Sequence, residues 1–298
     1  MAFEIEAPVA SPVLPSVPGV SRAALRAAKR NPLGALAGAA CVMLVLLAIF
    51  GPSMSPHSPN DTSFERLASP SVSHPFGTDN LFRDMLSRVI VGARNSLGVG
   101  FAAVFVSTVV GIILGIGSGY LGGAGDFVVS RIIDVMLAYP GLVFLIFVVT
   151  IFGPTFISIS VAIGLYMTPS ATRVIRSAAI GVRHQQFIEA ALSIGCSPLR
   201  IMIRHVFPNV ASSIIVIATI QIGAAILAEA ALSFLGLGVS SAQNPSWGRM
   251  LQETKPVWQA AWWTAIVPGF AITFTVLVYN LFGDALRDAL DPRLRGSR

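Results

Sequence analysis

Long apolar stretches alternate with polar connections along the chain. Each stretch approaches the roughly 20 residues that a helix needs to cross about 30 Å of hydrocarbon. Membrane β-barrels show weaker, alternating segments of about ten residues, so these spans are expected to be helices. The pattern predicts an all-α polytopic membrane protein with six transmembrane helices. The predicted spans are 33–50, 97–121, 132–152, 155–171, 210–232 and 264–282.

The composition argues against a soluble protein. Of the 298 residues, 54% are hydrophobic and 11% are charged, whereas soluble domains carry about 25% charged residues. The net charge of +6 would suggest a nucleic-acid partner for a soluble protein, but none is expected here. Of the 20 Lys and Arg, 14 lie on the side of both termini and 6 on the other side. Because cytoplasmic loops are enriched in Lys and Arg, both termini are predicted to be cytoplasmic.

The chain divides into four segments. Residues 1–20 contain four prolines and no apolar core, which predicts a disordered cytoplasmic tail rather than a signal peptide. Residues 21–96 comprise an N-terminal amphipathic segment, the first span and an external segment. Residues 97–283 form the transmembrane core, which includes a polar cytoplasmic loop over 170–209. Residues 284–298 form a cytoplasmic tail.

Local signals predict where some helices begin or bend. Apolar residues recur at helical spacing over 79–97, which predicts an amphipathic helix along the outer membrane surface or against a partner. Asp79 is its expected N-cap, and Asp84 and Arg88 are expected to form an i,i+4 pair. Pro140 lies inside the third apolar stretch and predicts a kink or a helix start there.

The loop over 170–209 is the most informative polar stretch. Helical periodicity runs through its first half and stops at Gly195, since glycine commonly ends helices in a left-handed conformation. Ser197 and Pro198 then offer an N-cap and a first helical residue. Pro208 is expected to end this second helix before the fifth span.

The same loop has a basic character. Five arginines and one glutamate give it a net charge of +4. Two amphipathic helices broken by a glycine suit a projecting knob that docks in a groove of another protein. They suit equally a helix pair that rests on lipid headgroups. Periodicity alone leaves both alternatives open.

The residue order in this loop resembles the EAA loop of bacterial ABC importer permeases. Glu189-Ala190-Ala191 is followed by Gly195 and then by Phe207-Pro208 at the spacing of that family. His205 and Phe207 stand where an isoleucine and a leucine are usual. Further stretches are similar to the C-type permease subunit of dipeptide, oligopeptide and nickel importers, with Phe82 in place of a typical glycine. They are GTD at 77–79, LSFLGLG at 232–238, PSWG at 245–248 and NLFGDALRDALDP at 280–292.

This resemblance implies the type I ABC importer permease fold and the bacterial inner membrane. The implied function is half of the translocation pathway for di- or oligopeptides, by alternating access driven by separate ATPase subunits. The implied partners are a homologous second permease subunit, two ABC ATPase subunits that bind ATP and Mg, an extracytoplasmic substrate-binding protein and the lipid bilayer. The implied coupling loop that docks on an ATPase consists of Phe187, Ile188, Glu189, Ala190, Ala191, Leu192, Gly195, Ser197, Pro198, Arg200 and Pro208.

The sequence lacks the residue sets of common enzyme sites. A P-loop needs a glycine before its lysine, but neither Lys29 nor Lys255 follows a glycine. The four histidines lie outside the predicted spans without zinc-protease spacing, and Cys41 and Cys196 are far apart. We therefore expect no catalytic residue, no metal site and no cofactor bound by this chain. ATP hydrolysis is expected in partner subunits.

Gln221, Ala225 and Glu229 recur every four residues in the fifth span. One hypothesis is that they line the pathway and that Glu229 attracts the amino group of a peptide. The other is a structural carboxylate that pairs with an arginine of a partner or reaches the interface. Trp258, Trp262 and Trp263 precede the sixth span and are expected to form an interfacial belt.

The cargo is left open by the sequence. Nickel, glutathione or another small solute are alternatives to peptides within the same family. An ATP-independent secondary transporter is an alternative of a different class, which the scarcity of acidic residues in the spans disfavours.

Overall fold

The structure is a computed structural model that describes residues 31–239 and 244–290. The predicted tail over 1–20 and residues 291–298 of the predicted C-terminal tail lie outside this part. Regular secondary structure in the described part is helical, with one isolated β-bridge between Thr78 and Asp84, which confirms the all-α class. The helices are α1 (Pro32–Met54), α2 (Met85–Leu121), α3 (Gly123–Ala138), α4 (Gly141–Phe152), α5 (Phe156–Arg183), α6 (Gln186–Ser193), α7 (Pro198–Ile201), α8 (Phe207–Phe234), α9 (Trp247–Thr254) and α10 (Trp263–Leu290).

Four of these helices, α1, α2, α10 and the helix that runs through α7 and α8, are long and apolar enough to cross a membrane. The pair α3 and α4 adds a fifth span if the two are counted together, although they are bent by 93°. Helix α5, which contains the predicted fourth span, is not in this group. It continues past the apolar stretch into a polar half that carries Arg173 and Arg176. The predicted count of six is therefore not confirmed.

The third apolar stretch is broken, so the predicted span over 132–152 falls on parts of the two helices α3 and α4. Helix α3 ends at Ala138, and α4 begins at Gly141 after Tyr139 and Pro140 in extended conformation. Proline lacks an amide hydrogen and disfavours helical geometry in the residue before it, which explains the break. The prediction that Pro140 kinks the chain or marks a helix start is confirmed.

Helices α2 and α5 form the closest helix pair of the bundle. A Cβ atom on Gly111 would lie 3.0 Å from Cβ of Ala171, and one on Gly115 would lie 2.9 Å from Cβ of Ile175. Small residues at these positions let the two backbones approach, as is typical of helix packing in membranes. The two helices run in the same direction, so both reach the end of the bundle that carries α6 and α7. This end is called the loop end, and the end formed by residues 55–84 and α9 is called the distal end.

The start of α2 differs from the predicted one. Asp84, not Asp79, is the N-cap, and its carboxylate accepts a 2.8 Å hydrogen bond from the amide of Ser87. Helix α2 is continuous from Met85, so the amphipathic stretch is the first part of a spanning helix and not a separate surface helix. The predicted Asp84–Arg88 pair is also wrong, because the guanidinium of Arg88 lies 3.0 Å from the carboxylate of Glu253.

Candidate functional site

Helices α6 and α7 at the loop end meet at a tight turn. Gly195 has a φ of +78°, a region that L-residues with a side chain rarely adopt. The amide of Cys196 donates to the carbonyl of Ala191 at 3.1 Å, which satisfies a carbonyl at the end of α6. Pro198 opens α7, and Ser197 occupies the N-cap position without a side-chain hydrogen bond to the helix. The predicted helix end at Gly195 and helix start at Pro198 are confirmed.

Two predicted details of this loop are wrong. The periodicity of its first half does not form one helix, because α5 ends at Arg183 and α6 begins at Gln186. Pro208 does not end a helix, because the helix continues through it into α8 directly after a π-helical turn. A π-helical turn over Met202–Val206 carries α7 into α8, and the amide of Phe207 donates to the carbonyl of Met202.

One face of the loop is anchored to the bundle. Ile188, Ala191 and Ile201 are buried, and they belong to a hydrophobic cluster that includes Tyr120 of α2 and Ile175 of α5. Ile188 is only 1% exposed. Burying a side chain of this size contributes roughly 1.5–3 kcal/mol. The loop is therefore a built part of the bundle end and not a free tether.

The opposite face of the loop presents apolar side chains to the outside. Ile194 is 80% exposed, and Leu199 and Ile203 are each 63% exposed. Arg200 and Arg204 border these residues, and the surface depression they share is lined by Ser197, Leu199, Arg200, Ile203, Arg204 and Pro208. An apolar tip with a basic rim fits the anatomy of a docking surface, since interfaces combine an apolar centre with a polar edge.

Ion pairs join α3 to the half of α5 that leads into the loop. Arg176 contacts Asp126 through two nitrogens, at 2.5 and 2.6 Å. The guanidinium of Arg173 lies 2.7 Å from Asp134. Arg131 also lies 3.7 Å from Asp134, but Arg173 is the closer partner of this carboxylate. The pairs between α3 and α5 were not predicted, because nothing in local spacing connects residues 39 or 50 positions apart.

The polar residues of the fifth span lie inside the helix packing. The amide nitrogen of Gln221 donates to the carbonyl of Met167 at 3.1 Å, and its oxygen accepts from Ser107 at 3.0 Å. Ala225 is fully buried, and the carboxylate of Glu229 accepts from Ser233 at 2.7 Å. These contacts favour a structural role, and the lining of the pathway by these three residues stays a prediction.

A second charged cluster that was not predicted lies at the distal end. Glu253 of α9 contacts Arg83 at 2.5 Å and Arg88 at 3.0 Å, and Arg249 joins it at 3.3 Å. Asp79 accepts from the side chain of Arg83 at 2.7 Å. The cluster connects α9 to the segment before α2. Glu253 and Arg88 are 165 residues apart in sequence, so no motif signals their contact.

The tryptophans before α10 have different surroundings. Trp258 and Trp262 are exposed, as an interfacial belt requires. Trp263 is buried, and its indole nitrogen donates to the carbonyl of Thr78 at 3.1 Å. Trp263 therefore holds the segment before α2 against α10, a role that the sequence did not suggest.

Comparison with known families agrees with this architecture. The family described as "Binding-protein-dependent transport system inner membrane component" matches residues 111–296. The family described as "N-terminal TM domain of oligopeptide transport permease C" matches residues 20–70, which include all of α1. Together the two matches span both ends of the described bundle.

Individual relatives are similar over almost the whole chain. The chain is 42% identical over 275 residues to "Dipeptide transport system permease protein DppC" of Alkalihalophilus pseudofirmus, with 92% of this chain and 90% of the relative covered. It is 40% identical over 270 residues to "Glutathione transport system permease protein GsiD" of Escherichia coli, with 90% and 89% covered.

A solved structure shares the fold. A chain in the structure titled "Inward facing conformations of the MetNI methionine ABC transporter" superimposes with a TM-score of 0.57 at 18% identity, over 70% of this chain and 98% of that chain. At this identity the similarity supports the fold alone. The importer permease fold implied by the sequence is thus confirmed.

Proposed function

The chain belongs to the family of binding-protein-dependent transport system inner membrane components, and from this premise we propose that it forms half of the translocation pathway of a peptide importer driven by ATP. It is a permease subunit of an ABC importer and a multi-pass membrane protein. The proposal adds the cargo, di- or oligopeptides, and the mechanism, alternating access driven by separate ATPase subunits. The relative that transports dipeptides, at 42% identity, supports the cargo.

The observation that carries the mechanism is the docked loop at the loop end. Its buried face, which includes Ile188, is fixed to the bundle, while its apolar tip at Ile194 and Leu199 stays open. A groove of an ATPase subunit would bury this tip in the helix-in-groove mode. The excess of Lys and Arg on this side of the chain supports a cytoplasmic location of the loop end and both termini, where ATP is available.

The connections of the loop explain how movement would reach the spans. Only His184 and Gln185 separate α5 from α6, and the π-helical turn joins α7 to α8 without a break. A displacement of the loop by a closing ATPase would therefore shift the ends of α5 and α8 together. The Asp126–Arg176 pair would carry the shift to α3. Alternating access requires two packings of these helices, each favoured by a different state of the partner.

The partners follow from this assignment. A homologous second permease subunit completes the pathway, and two ATPase subunits bind ATP and Mg and dock below the loop end. A substrate-binding protein delivers cargo at the distal end, and the lipid bilayer surrounds the bundle. This chain supplies no ATP site, so it is a mechanical subunit and not an enzyme.

Glutathione is the second candidate cargo, because a relative at 40% identity carries that name. Glutathione is itself a small peptide, so both candidates share the chemistry of amide groups, an amino group and carboxylates. Nickel and other small solutes are retained as alternatives within the family. An uptake that needs no ATPase subunit would identify the ATP-independent alternative.

Reconstitution tests the proposal directly. The chain, its second permease and both ATPases are assembled in liposomes with the proposed substrate-binding protein, and uptake of labelled dipeptide, oligopeptide, glutathione and nickel is measured. Uptake of a peptide that needs ATP and the binding protein is expected. Uptake of nickel alone, or peptide uptake by this chain without ATPases, contradicts the proposal.

A further inference from the structure

Glu229 of α8 is the most deeply buried acidic side chain of the described spans. Glu229 is only 1% exposed. One carboxyl oxygen accepts a 2.7 Å hydrogen bond from the hydroxyl of Ser233. The other, Oε2, has no hydrogen-bond partner among the described residues. None of the ion pairs of the described part includes this carboxyl.

The surroundings of Glu229 offer hydroxyl groups, and the ammonium of Lys255, which follows α9, is engaged by the carbonyl of Phe234 at 3.1 Å and by the ring of that residue. The hydroxyl oxygen of Ser246, at the start of α9, lies 3.4 Å from that of Ser233. The hydroxyl of Ser96 in α2 accepts a hydrogen bond from the amide of Trp247, the residue after Ser246. The charged residues of α9, Arg249 and Glu253, are paired with each other and turned to the distal cluster. The segment 240–243, which the structure does not describe, has the sequence SSAQ and adds no charge.

In α2, Arg88 is paired with Glu253 and Asp79, and Arg94 is exposed. The charged residues of α5 and α10 lie in the halves of those helices nearest the loop end, far along the bundle from Glu229. They are Arg173, Arg176, Arg183, Asp284, Arg287 and Asp288. An ionised carboxylate that is buried without a cation is strongly disfavoured, above all at membrane depth.

We propose that Glu229 is a proton-binding site: its carboxyl is protonated in this packing, and the proton is released when α9 lifts from α8. A protonated carboxyl is neutral, accepts from Ser233 and carries the proton on Oε2. Protonation therefore removes the cost of an unpaired buried charge. The proton comes from water during closure and returns to water on opening, so the O–H bond that forms in one step breaks in the other.

The packing above Glu229 shows why α9 controls access to it. The amide of Trp247 donates to the hydroxyl of Ser96 at 3.1 Å, and the indole of Trp247 donates to the carbonyl of Val89 at 3.0 Å. Gly248 lies against the backbone of Ala230, where an added Cβ atom would be 2.5 Å from the carbonyl oxygen. Separating the start of α9 from α2 and α8 would open this contact and let water reach the carboxyl.

Protonation of Glu229 makes the closed state, in which α9 packs against α8, depend on pH. The closed state binds one proton more than an open or unfolded state at neutral pH, so it is favoured at low pH and weakened as pH rises. The equilibrium changes by at most about tenfold per pH unit for a single proton. Any effect on transport rests on the proposed function, whereas the protonation itself does not.

Infrared spectroscopy of the full-length chain in lipid nanodiscs tests the protonation. At neutral pH we expect a carbonyl-stretch band of a protonated carboxylic acid in the wild type and in the control Glu65→Gln, whose side chain is exposed. The band should be missing from Glu229→Gln. A wild type without the band, or a band that persists in Glu229→Gln, overturns the proposal. If Glu229→Gln does not fold, the wild type is labelled with carbon-13 glutamate instead. The label is then expected to shift the carbonyl-stretch band, and an unshifted band overturns the proposal.

Stability measured against pH gives a second, independent readout. The thermal stability of the wild type and of Glu65→Gln should fall more steeply from mildly acidic to mildly alkaline pH than that of Glu229→Gln, whose amide does not titrate. Equal slopes in all three proteins overturn the proposal. Both readouts work without ATPase partners, so a failure of the transport proposal leaves their meaning intact.

Discussion

Arg176 of α5 and Asp126 of α3 form a two-pronged ion pair, with Nε to Oδ1 at 2.5 Å and the terminal nitrogen to Oδ2 at 2.6 Å. Both side chains are about a quarter to a third exposed, at 31% and 23%. This is the less exposed of the two ion pairs described between α5, which leads into the loop, and α3, the first half of the bent pair. Its fixed geometry distinguishes it from the flexible surface pairs around it.

Breaking the Asp126–Arg176 pair is expected to weaken the mechanical connection between α5 and α3 more than it lowers the stability of the fold. Asp126→Asn should lower the free energy of unfolding by about 1 kcal/mol or less, since partly exposed pairs contribute little. It should also reduce the uptake obtained per ATP hydrolysed. Arg176→Lys should resemble Asp126→Asn, because lysine cannot form the two-pronged contact. The neighbouring Asp134→Asn, in a pair that is half exposed, is the matched control with a smaller effect. Equal uptake per ATP in all variants contradicts the role.

Replacing Gly195 is expected to uncouple import from ATP hydrolysis. Its φ of +78° makes Gly195→Ala strained by about 1 kcal/mol, although no heavy atom lies within 4 Å of the added Cβ. The strain should reorient α7 relative to α6 and leave membrane insertion intact. Gly195→Asn should retain more function, since asparagine tolerates this conformation better.

Gly181→Ala is the matched control for this effect. It lies in α5, it also has no heavy atom within 4 Å of an added Cβ, and its φ is ordinary. Alanine inside a helix is favoured over glycine, so this variant should keep its transport and gain slight stability. ATPase activity stimulated by the binding protein and uptake are measured side by side. Coupled uptake by Gly195→Ala at the wild-type rate argues against the turn as a coupling element.

The exposed tip of the loop should matter for assembly and not for folding. Ile194→Ser and Leu199→Ser are expected to change the free energy of unfolding by no more than about 0.5 kcal/mol. Each should weaken recovery of the ATPase subunits by roughly tenfold, as loss of an apolar anchor of an interface costs about 1–2 kcal/mol. Val72→Ser, a fully exposed apolar position at the distal end, is the control.

The buried face of the loop should give the reverse result. Ile188→Ala removes a buried side chain and is expected to destabilise the chain by about 2–5 kcal/mol. Replacement of Glu189, which is exposed and close to this face, should disturb docking while leaving stability unchanged. If the ATPase subunits are recovered in normal amounts with Ile194→Ser and Leu199→Ser, the exposed tip contacts lipid and not an ATPase.

The elements that sequence reasoning predicted well are those with a local cause. The helices around the apolar stretches, the turn at Gly195 and the start at Pro198 each depend on a few neighbouring residues. Pro140 likewise marked the break between α3 and α4. Pro208 misled the prediction because a proline after an amphipathic run ends one helix as readily as it begins the next. Only the packing of α8 decides between these outcomes.

The features that were missed depend on contacts between distant residues. Asp79 and Asp84 are both suitable N-caps by type, but Phe82 has a φ of +62° and Asp84 forms a β-bridge with Thr78, so the helix begins only at Met85. The burial of Gln221 and Glu229 likewise depends on α2, α5 and α9, which the spacing of four along α8 does not reveal. The sequence of this chain does not identify the cargo if the binding protein selects it.

The charged cluster at the distal end yields the last prediction. Arg88 is 1% exposed, and its closest carboxylate is Glu253 at 3.0 Å, with Asp79 farther away at 3.5 Å. Glu253→Gln would leave Arg83 and Arg88 with Asp79 alone and Arg249 without an acidic partner in the cluster, so a loss of roughly 3–5 kcal/mol is expected. Arg249→Gln is the control, because its side chain is more exposed and its contact with Glu253 is longer. Thermal unfolding in nanodiscs measures the stability of both variants.

Since α9 also covers Glu229, the Glu253→Gln variant should open that site and thereby weaken the dependence of stability on pH. A variant that loses stability but keeps the full dependence would show that the two ends of α9 move separately.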